Sequence, residues 1–421
     1  MRKQFAIVLL VLSTCARNNG QTTGLPAESR QSREPAGYPD FEIVESTPVG
    51  TILANPDIRN AHEVWLDMVG NAKKSIDAEE FYVSNQAGEP LGDVIAGIIA
   101  AARRGVSVRM IVDAGMYRTY PETVDSLGRQ KNITTRVIDF RRLAGGIQHS
   151  KYFIVDGEEI FFGSQNFDWR ALKHIHELGI RLRNKEAIQV YRDIFELDWK
   201  LSEKNEPSLI KEALMPKSYS VPIRMVEGPG DTLAFIPTAS PRSLIPDTTL
   251  WDETNIVKLI DAAHSDVMLQ FLTYSSLTKG GSMYTVFNDA LLRAAHRGVK
   301  VRLIVSDWEK YHAEVEQLKK LALIPNIEVK FSSIPDLPGE YIPFARVEHC
   351  KYIVVDSSSC WLGTSNAEKS YFYNTRNVGV VVFNSKIAGI LRRVFLKGWN
   401  GPYTELVKQD GEYQPRQHGE K

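Results

Sequence analysis

One pattern narrows what this chain can fold into more than any other: an eight-residue cassette that occurs twice, 200 residues apart. The first copy is His149-Ser150-Lys151-Tyr152-Phe153-Ile154-Val155-Asp156 and the second is His349-Cys350-Lys351-Tyr352-Ile353-Val354-Val355-Asp356. Each is followed at the same distance by a turn ending in asparagine, Gly163-Ser164-Gln165-Asn166 and Gly363-Thr364-Ser365-Asn366. Upstream, Ala101-Ala102-Arg103-Arg104-Gly105-Val106 returns as Ala294-Ala295-His296-Arg297-Gly298-Val299. In both copies a helix ends, glycine supplies the cap and a buried strand follows. Two copies of one α/β domain explain this more simply than one large sheet of unrelated helix-strand units.

Histidine and lysine two apart in a strand point to the same face, so imidazole and ammonium converge. The four apolar residues between Lys and Asp are β-formers that anchor the strand in a core. The next strand, at 160–162 or 360–362, ends in a turn whose backbone N–H groups and hydroxyls (Ser164, Thr364, Ser365) can meet an anion. Asn166 and Asn366 add amide donors. A lone strand histidine is more often structural than catalytic, but the full pattern found twice makes coincidence a poor competitor. Two imidazoles, two ammonium groups and several neutral donors around one vacancy make a site for a phosphodiester. Asp156 and Asp356 close each motif and read as chiefly structural, bonding nearby backbone.

The paired motifs resemble the phospholipase D superfamily over nearly all of the chain. The stretch Gly163 to Leu172 with Glu177-Leu178-Gly179, and Ile342 to Val347 before His349, are most similar to the branch of animal endolysosomal 5′-exonucleases and the poxvirus envelope phospholipase. The resemblance implies two mixed-sheet α/β/α domains related by a pseudo-twofold, sharing one active site, so that a monomer suffices. It also implies a two-step displacement in which one histidine becomes a phosphohistidine and the other protonates the leaving oxygen, with His149 as nucleophile and His349 as acid. Lys151, Lys351, Asn166 and Asn366 would hold the nonbridging oxygens, with no metal and no cofactor called for.

The family often places a carboxylate about 28 residues after the histidine to orient it. In the first half that position is Glu177 and in the second it is Asn377. Glu177 is therefore expected on His149 and Asn377 on His349, with the carboxylate marking the nucleophile's side. Three functions stay open: phospholipid hydrolysis or transphosphatidylation, which is preferred; 5′-exonuclease action on single-stranded nucleic acid; and a non-enzymatic envelope lipoprotein. Lys plus Arg equal Asp plus Glu at 51 each, so any polyanion must be held locally rather than by bulk charge. Phe81, Tyr82, Trp169, Tyr274, Trp308, Tyr371, Phe372 and Tyr373 could stack bases, line an acyl groove or fill the core.

The chain opens with Arg2 and Lys3, a short apolar run from Phe5 to Leu12, then Leu12-Ser13-Thr14-Cys15. This resembles a secretory signal with a bacterial lipobox, lipidated at Cys15, or else a plain signal peptide. Export follows, to the cell envelope as a lipoprotein or to the periplasm or beyond, with a lipid anchor as the membrane contact. The layout reads as signal 1–15, flexible tether 16–41, first domain 42–202, Pro-rich linker 203–242, second domain 243–405 and polar tail 406–421. Cys350 and Cys360 are expected in strands as buried free thiols, and no Cys or His cluster shows zinc spacing.

Overall fold

The computed structural model describes residues 36–228, 231–278 and 280–419. The signal reading, Cys15 and the tether up to residue 35 lie outside the described residues.

The repeat in sequence is a repeat in topology. The first sheet carries β1 (Phe41–Ser46), β2 (Ser75–Glu80), β3 (Ser107–Asp113), β4 (Ile133–Ile138), β5 (Lys151–Val155), β6 (Glu159–Gly163) and β7 (Glu177–Leu182). They lie side by side as β1-β7-β6-β5-β2-β3-β4. The second sheet carries β8 (Asp231–Ser240), β9 (Asp266–Phe271), β10 (Lys300–Ser306), β11 (Ile327–Ser332), β12 (Tyr352–Val355), β13 (Ser359–Gly363) and β14 (Asn377–Phe383). Its order, β8-β14-β13-β12-β9-β10-β11, is the same strand for strand. In each sheet three strands run parallel (β2-β3-β4, β9-β10-β11) and the motif hairpin joins them antiparallel.

Helices cover these sheets: α1 (Ala61–Asn71), α2 (Leu91–Arg103) and α3 (Lys185–Leu201) in the first half, α4 (Asp252–Asp261), α5 (Val286–His296) and α6 (Ser385–Trp399) in the second. Asn184 and Asn384, again 200 apart, cap α3 and α6 through their side-chain oxygens. One apolar cluster runs through both halves, taking in Phe162, Tyr191 and Ile194 of the first and Phe235, Val380 and Leu391 of the second. Tyr191 also donates its hydroxyl to Gly379 O at 2.8 Å. Each such buried side chain contributes about 1.5–3 kcal/mol, so the halves form one body rather than two beads on a string.

Three boundaries differ from the sequence reading. The tether was expected to reach residue 41, but Gly37–Tyr38 pairs with the start of β1, and Tyr38 is buried. The linker does not end at 242, because Ile223–Gly228 and β8 already belong to the second sheet. Of the prolines that suggested a linker, Pro222 stands just before the strand Ile223–Gly228 and Pro237 lies within β8, where it has no N–H to lose. The tail beyond 405 is ordered as well: Thr404–Leu406 pairs with β11, Arg416 donates to Ile334 O at 2.5 Å, and Phe344 N donates to His418 O.

Candidate active site

The two motifs meet where the halves touch. His149 N donates to Arg376 O at 3.0 Å and Arg376 N to Ile147 O at 3.0 Å. The second motif mirrors this, with His176 N to Val347 O at 3.1 Å and His349 N to His176 O at 3.0 Å. Each motif histidine therefore starts its strand on a short parallel bridge to the other half.

That bridge decides the orienting partners, and it overturns the expected pairing. Glu177 follows His176, so its Oε2 reaches His349 Nδ1 at 2.7 Å. Asn377 follows Arg376, so its Oδ1 reaches His149 Nδ1 at 3.1 Å. The carboxylate and the amide each serve the histidine of the opposite half, where counting within one repeat had assigned them to their own. Thr364 Oγ1 donates to Asn377 Oδ1 at 2.9 Å and fixes the amide, while Ser164 Oγ bonds Leu178 O and N beside Glu177. Ser365, expected to face substrate, turns away, and its hydroxyl lies 3.4 Å from Asp252 Oδ2 in the core.

Lys151 and Lys351 are buried, and each Nζ donates to the carbonyl of its own histidine, so ammonium and imidazole leave the strand on one face. Burial pushes both amines down, Lys351 to about 7 and Lys151 well below the ordinary lysine value, with Lys351 adding to the effect at Lys151. Burial likewise holds both imidazoles well below 6.5; both lysines add to this at each ring, and His149 adds to it at His349. The mutual influence of these groups, together with the crossed Nδ1 contacts, puts them in one site. Asn166 and Asn366 are buried beside it, and neither side-chain oxygen has a hydrogen-bond partner. A bound phosphate would restore the charge that burial costs these amines, whereas a metal cation would meet repulsion.

Asp156 and Asp356 stand at the far end of the hairpins. Asp156 accepts from the N–H groups of Lys73, Lys74 and Ser75, and Asp356 from those of His264, Ser265 and Asp266. Both have positive φ, 58° and 52°, in the hairpin turn, a conformation aspartate tolerates better than most residues. Their place in the motif is explained by the turn rather than by substrate contact. Cys350 and Cys360 are free and buried, though Cys350 precedes β12 rather than lying in it.

The sequence reading named Phe81 and Tyr371 without placing them, and it missed Glu80. His149 has Phe81 and Tyr371 against its ring, each 5.0 Å between centroids, and Lys151 Nζ is 5.0 Å from the Phe81 ring. Glu80, at the end of β2, is buried, and burial pushes its acid well up against the opposing pull of the Lys151 charge. Adjacent acids at Glu79 and Glu80, inside a strand bounded by apolar residues, were the available signal. A cavity of about 710 Å³ lies elsewhere, lined by Tyr38, Lys258, His264, Asp356 and Lys386 near the far hairpin.

The model of the "Cardiolipin synthase, PLD-like domain" family matches residues 65–199 and 252–399, one span per half. The chain belongs to the phospholipase D superfamily. It is 28% identical to "Phospholipase D Z" of Dictyostelium discoideum, over 94% of this chain and 97% of that protein. It is 30% identical to "5'-3' exonuclease PLD3" of Xenopus laevis (86% and 80% covered) and 29% identical to the "Virion nicking-joining enzyme" of vaccinia virus (86% and 88%). Among solved structures, a phosphatidylserine synthase of Haemophilus influenzae superposes with a TM-score of 0.62 at 12% identity, covering 84% of this chain and 86% of that one, a likeness of fold. The chain is thus an enzyme of the phosphodiesterase type, and the scaffold reading falls away. Among the described residues no helix is long and apolar enough to cross a membrane.

Proposed function

We propose that the protein cleaves phosphodiesters through a phosphohistidine on His149, with His349 as the acid. The observation that carries this is the unequal pair of Nδ1 partners. Asn377 Oδ1 fixes the His149 tautomer with Nδ1–H donating, leaving the Nε2 lone pair free on a ring that burial keeps neutral. Burial disfavours charge on His349 and on Glu177 alike, but the 2.7 Å contact between them offsets this and stabilises the imidazolium needed to give up a proton. His149 Nε2 attacks phosphorus, and the breaking P–O bond's electron pair takes the Nε2 proton of His349. Water then attacks phosphorus, returning its proton to His349 as the P–N bond to His149 breaks. Lys151, Lys351, Asn166 and Asn366 hold the nonbridging oxygens throughout.

The preferred substrate is a phospholipid, supported by the end-to-end match to a protein named a phospholipase D. A 5′-exonuclease reading is supported by the frog relative, named a 5′-3′ exonuclease, and by the aromatic rings around His149. The export and lipid anchoring expected from the first 15 residues would bring the protein to a membrane, with a monomer as the working unit. Purified protein in EDTA is given phospholipid micelles with ethanol and, separately, 5′-hydroxyl single-stranded DNA, beside His149→Ala. Phosphatidylethanol that disappears in the variant supports the lipid reading; mononucleotide release with the same dependence supports the nuclease; silence on both removes the substrate assignment.

A further inference from the structure

Behind the seam, one residue off the catalytic groups, the two halves differ in chemistry at matching positions. Below the first motif lie Gln148, Ser150 and Arg376. Arg376 is fully committed, to Asp198 at 2.6 and 2.8 Å and to the carbonyls of Ser240 and Leu244 at 2.9 Å, and Gln148 Nε2 donates to Ser150 Oγ at 2.6 Å. The same positions under the second motif, 200 residues away, are Glu348, Cys350 and His176.

There a ring nitrogen of His176, a carboxylate oxygen of Glu348 and Cys350 Sγ lie within 4.8 Å of one another, all three residues buried. His176 Nδ1 and Glu348 Oε1 approach to 2.7 Å, yet out of hydrogen-bond alignment, and each is a buried atom with no hydrogen-bond partner. The other ring nitrogen, Nε2, is 3.2 Å from Glu45 Oε1. Glu45 is itself held by Asn55 N at 2.9 Å and Asn55 Nδ2 at 2.8 Å. A carboxylate that accepts a hydrogen bond from Nε2–H aims Nδ1 at Glu348 and Cys350, the arrangement that metal-ligating histidines adopt.

We propose that His176, Glu348 and Cys350 bind a zinc ion that staples the two halves beneath the catalytic face, with Glu45 orienting the imidazole. Thiolate and imidazole together favour zinc over harder cations. Zinc bond lengths place tetrahedral ligand atoms about 3.3–3.8 Å apart, within about an ångström of the separations here. Between two carboxylates the His176 ring holds a second proton, so zinc displaces two protons to solvent, one from the imidazolium as the N–Zn bond forms and one from the Cys350 thiol as the S–Zn bond forms. The ion takes no part in the phosphoryl chemistry, because Glu177 and His349, next in the chain, face the other way.

The full chain, grown with added zinc and purified without chelating resin, is analysed for bound metal. Its cobalt-loaded form is scanned for thiolate-to-cobalt charge transfer. One zinc per chain and that band are expected. Cys350→Ser, which installs the hydroxyl already found at Ser150, and His176→Gln should lower zinc content at least tenfold with unchanged circular dichroism, and Glu45→Gln should weaken zinc about 10–100-fold. A wild-type protein that holds under a tenth of an equivalent and gives no cobalt–thiolate band overturns the proposal and leaves His176 as an imidazolium between two carboxylates.

Discussion

His149 and His349 occupy equivalent places in duplicated sheets, yet one is held by an amide and packed between Phe81 and Tyr371, and the other is held by a carboxylate. Duplication supplies two chemically identical motifs; catalysis of a two-step displacement wants one group to attack and one to give a proton. The difference comes from Glu177 and Asn377, two residues that the repeat places in register and the sequence then makes unlike. Because each serves the opposite half, neither half holds a motif histidine together with its Nδ1 partner, and the paired groups come together only when the halves are docked.

The largest test of that inequality removes the imidazoles. His149→Ala and His349→Ala should each lower kcat on an alkyl phosphodiester by about 10³–10⁶. With a nitrophenyl ester, whose leaving group needs no proton, His349→Ala should recover most of that loss at the first step and accumulate phosphoenzyme, while His149→Ala should not. Equal behaviour of the two variants with the activated ester would erase the distinction.

Next in size is an exchange of the orienting groups. Glu177→Gln should lower kcat by about 10²–10⁴, since it takes the charge from behind the proton donor. Asn377→Ala should cost only about tenfold by the loss of one neutral hydrogen bond, and Asn377→Asp should move the acidic limb of kcat/KM upward by raising the pKa of His149. Had the carboxylate belonged to His149, as counting within one repeat suggests, Glu177→Gln would abolish phosphoenzyme trapping instead of slowing leaving-group departure.

A smaller and pH-dependent effect concerns Lys351, whose amine burial brings to about 7. In the free enzyme it loses its charge as pH rises through that value, so kcat/KM should fall on the alkaline side. Lys351→Arg, which stays charged, should carry activity to higher pH even at a lower maximum. The same group acts oppositely on stability. Unfolded, its pKa returns to about 10.4, so the unfolded chain binds more protons between about 7 and 10.4, and this group's penalty on the fold is relieved as pH rises across that window. Titration of activity and of unfolding in parallel would expose the opposed signs.

The presence of two like sheets and the pairing of His149-x-Lys151 with His349-x-Lys351 were legible because they repeat, whereas the order of the strands was not. What repetition could not disclose lies at the seam. The crossed pairing of Glu177 and Asn377 depends on single parallel bridges at Arg376 and His176, which leave no local pattern. Ser365 kept the motif's composition but lost its orientation to Asp252, a core contact of high sequence separation. The linker misjudged at 203–242 shows the limit of composition, since proline density marks edges of a sheet as readily as absence of one.

The smallest activity effect belongs to the motif's own aspartates, and it separates the far ends of the hairpins from their catalytic ends. Asp156 and Asp356 each accept three backbone N–H groups across the turn, and their pKa values are lowered by those bonds against the opposing effect of burial. Asp156→Asn keeps the shape and the tolerance of positive φ but forfeits charge-assisted acceptance, at a cost of about 1–3 kcal/mol. Because each folded-state pKa lies below the unfolded one, this contribution is present above the unfolded pKa and is lost as pH falls through the folded one. The variant should therefore melt earlier than wild type at neutral pH, converge with it in acid, and keep kcat within about threefold, since its strand is still anchored by Tyr152 to Val155. A loss of kcat as large as that of Lys151→Met, with an unchanged Tm, would place the aspartate in the chemistry and break the division between the two ends.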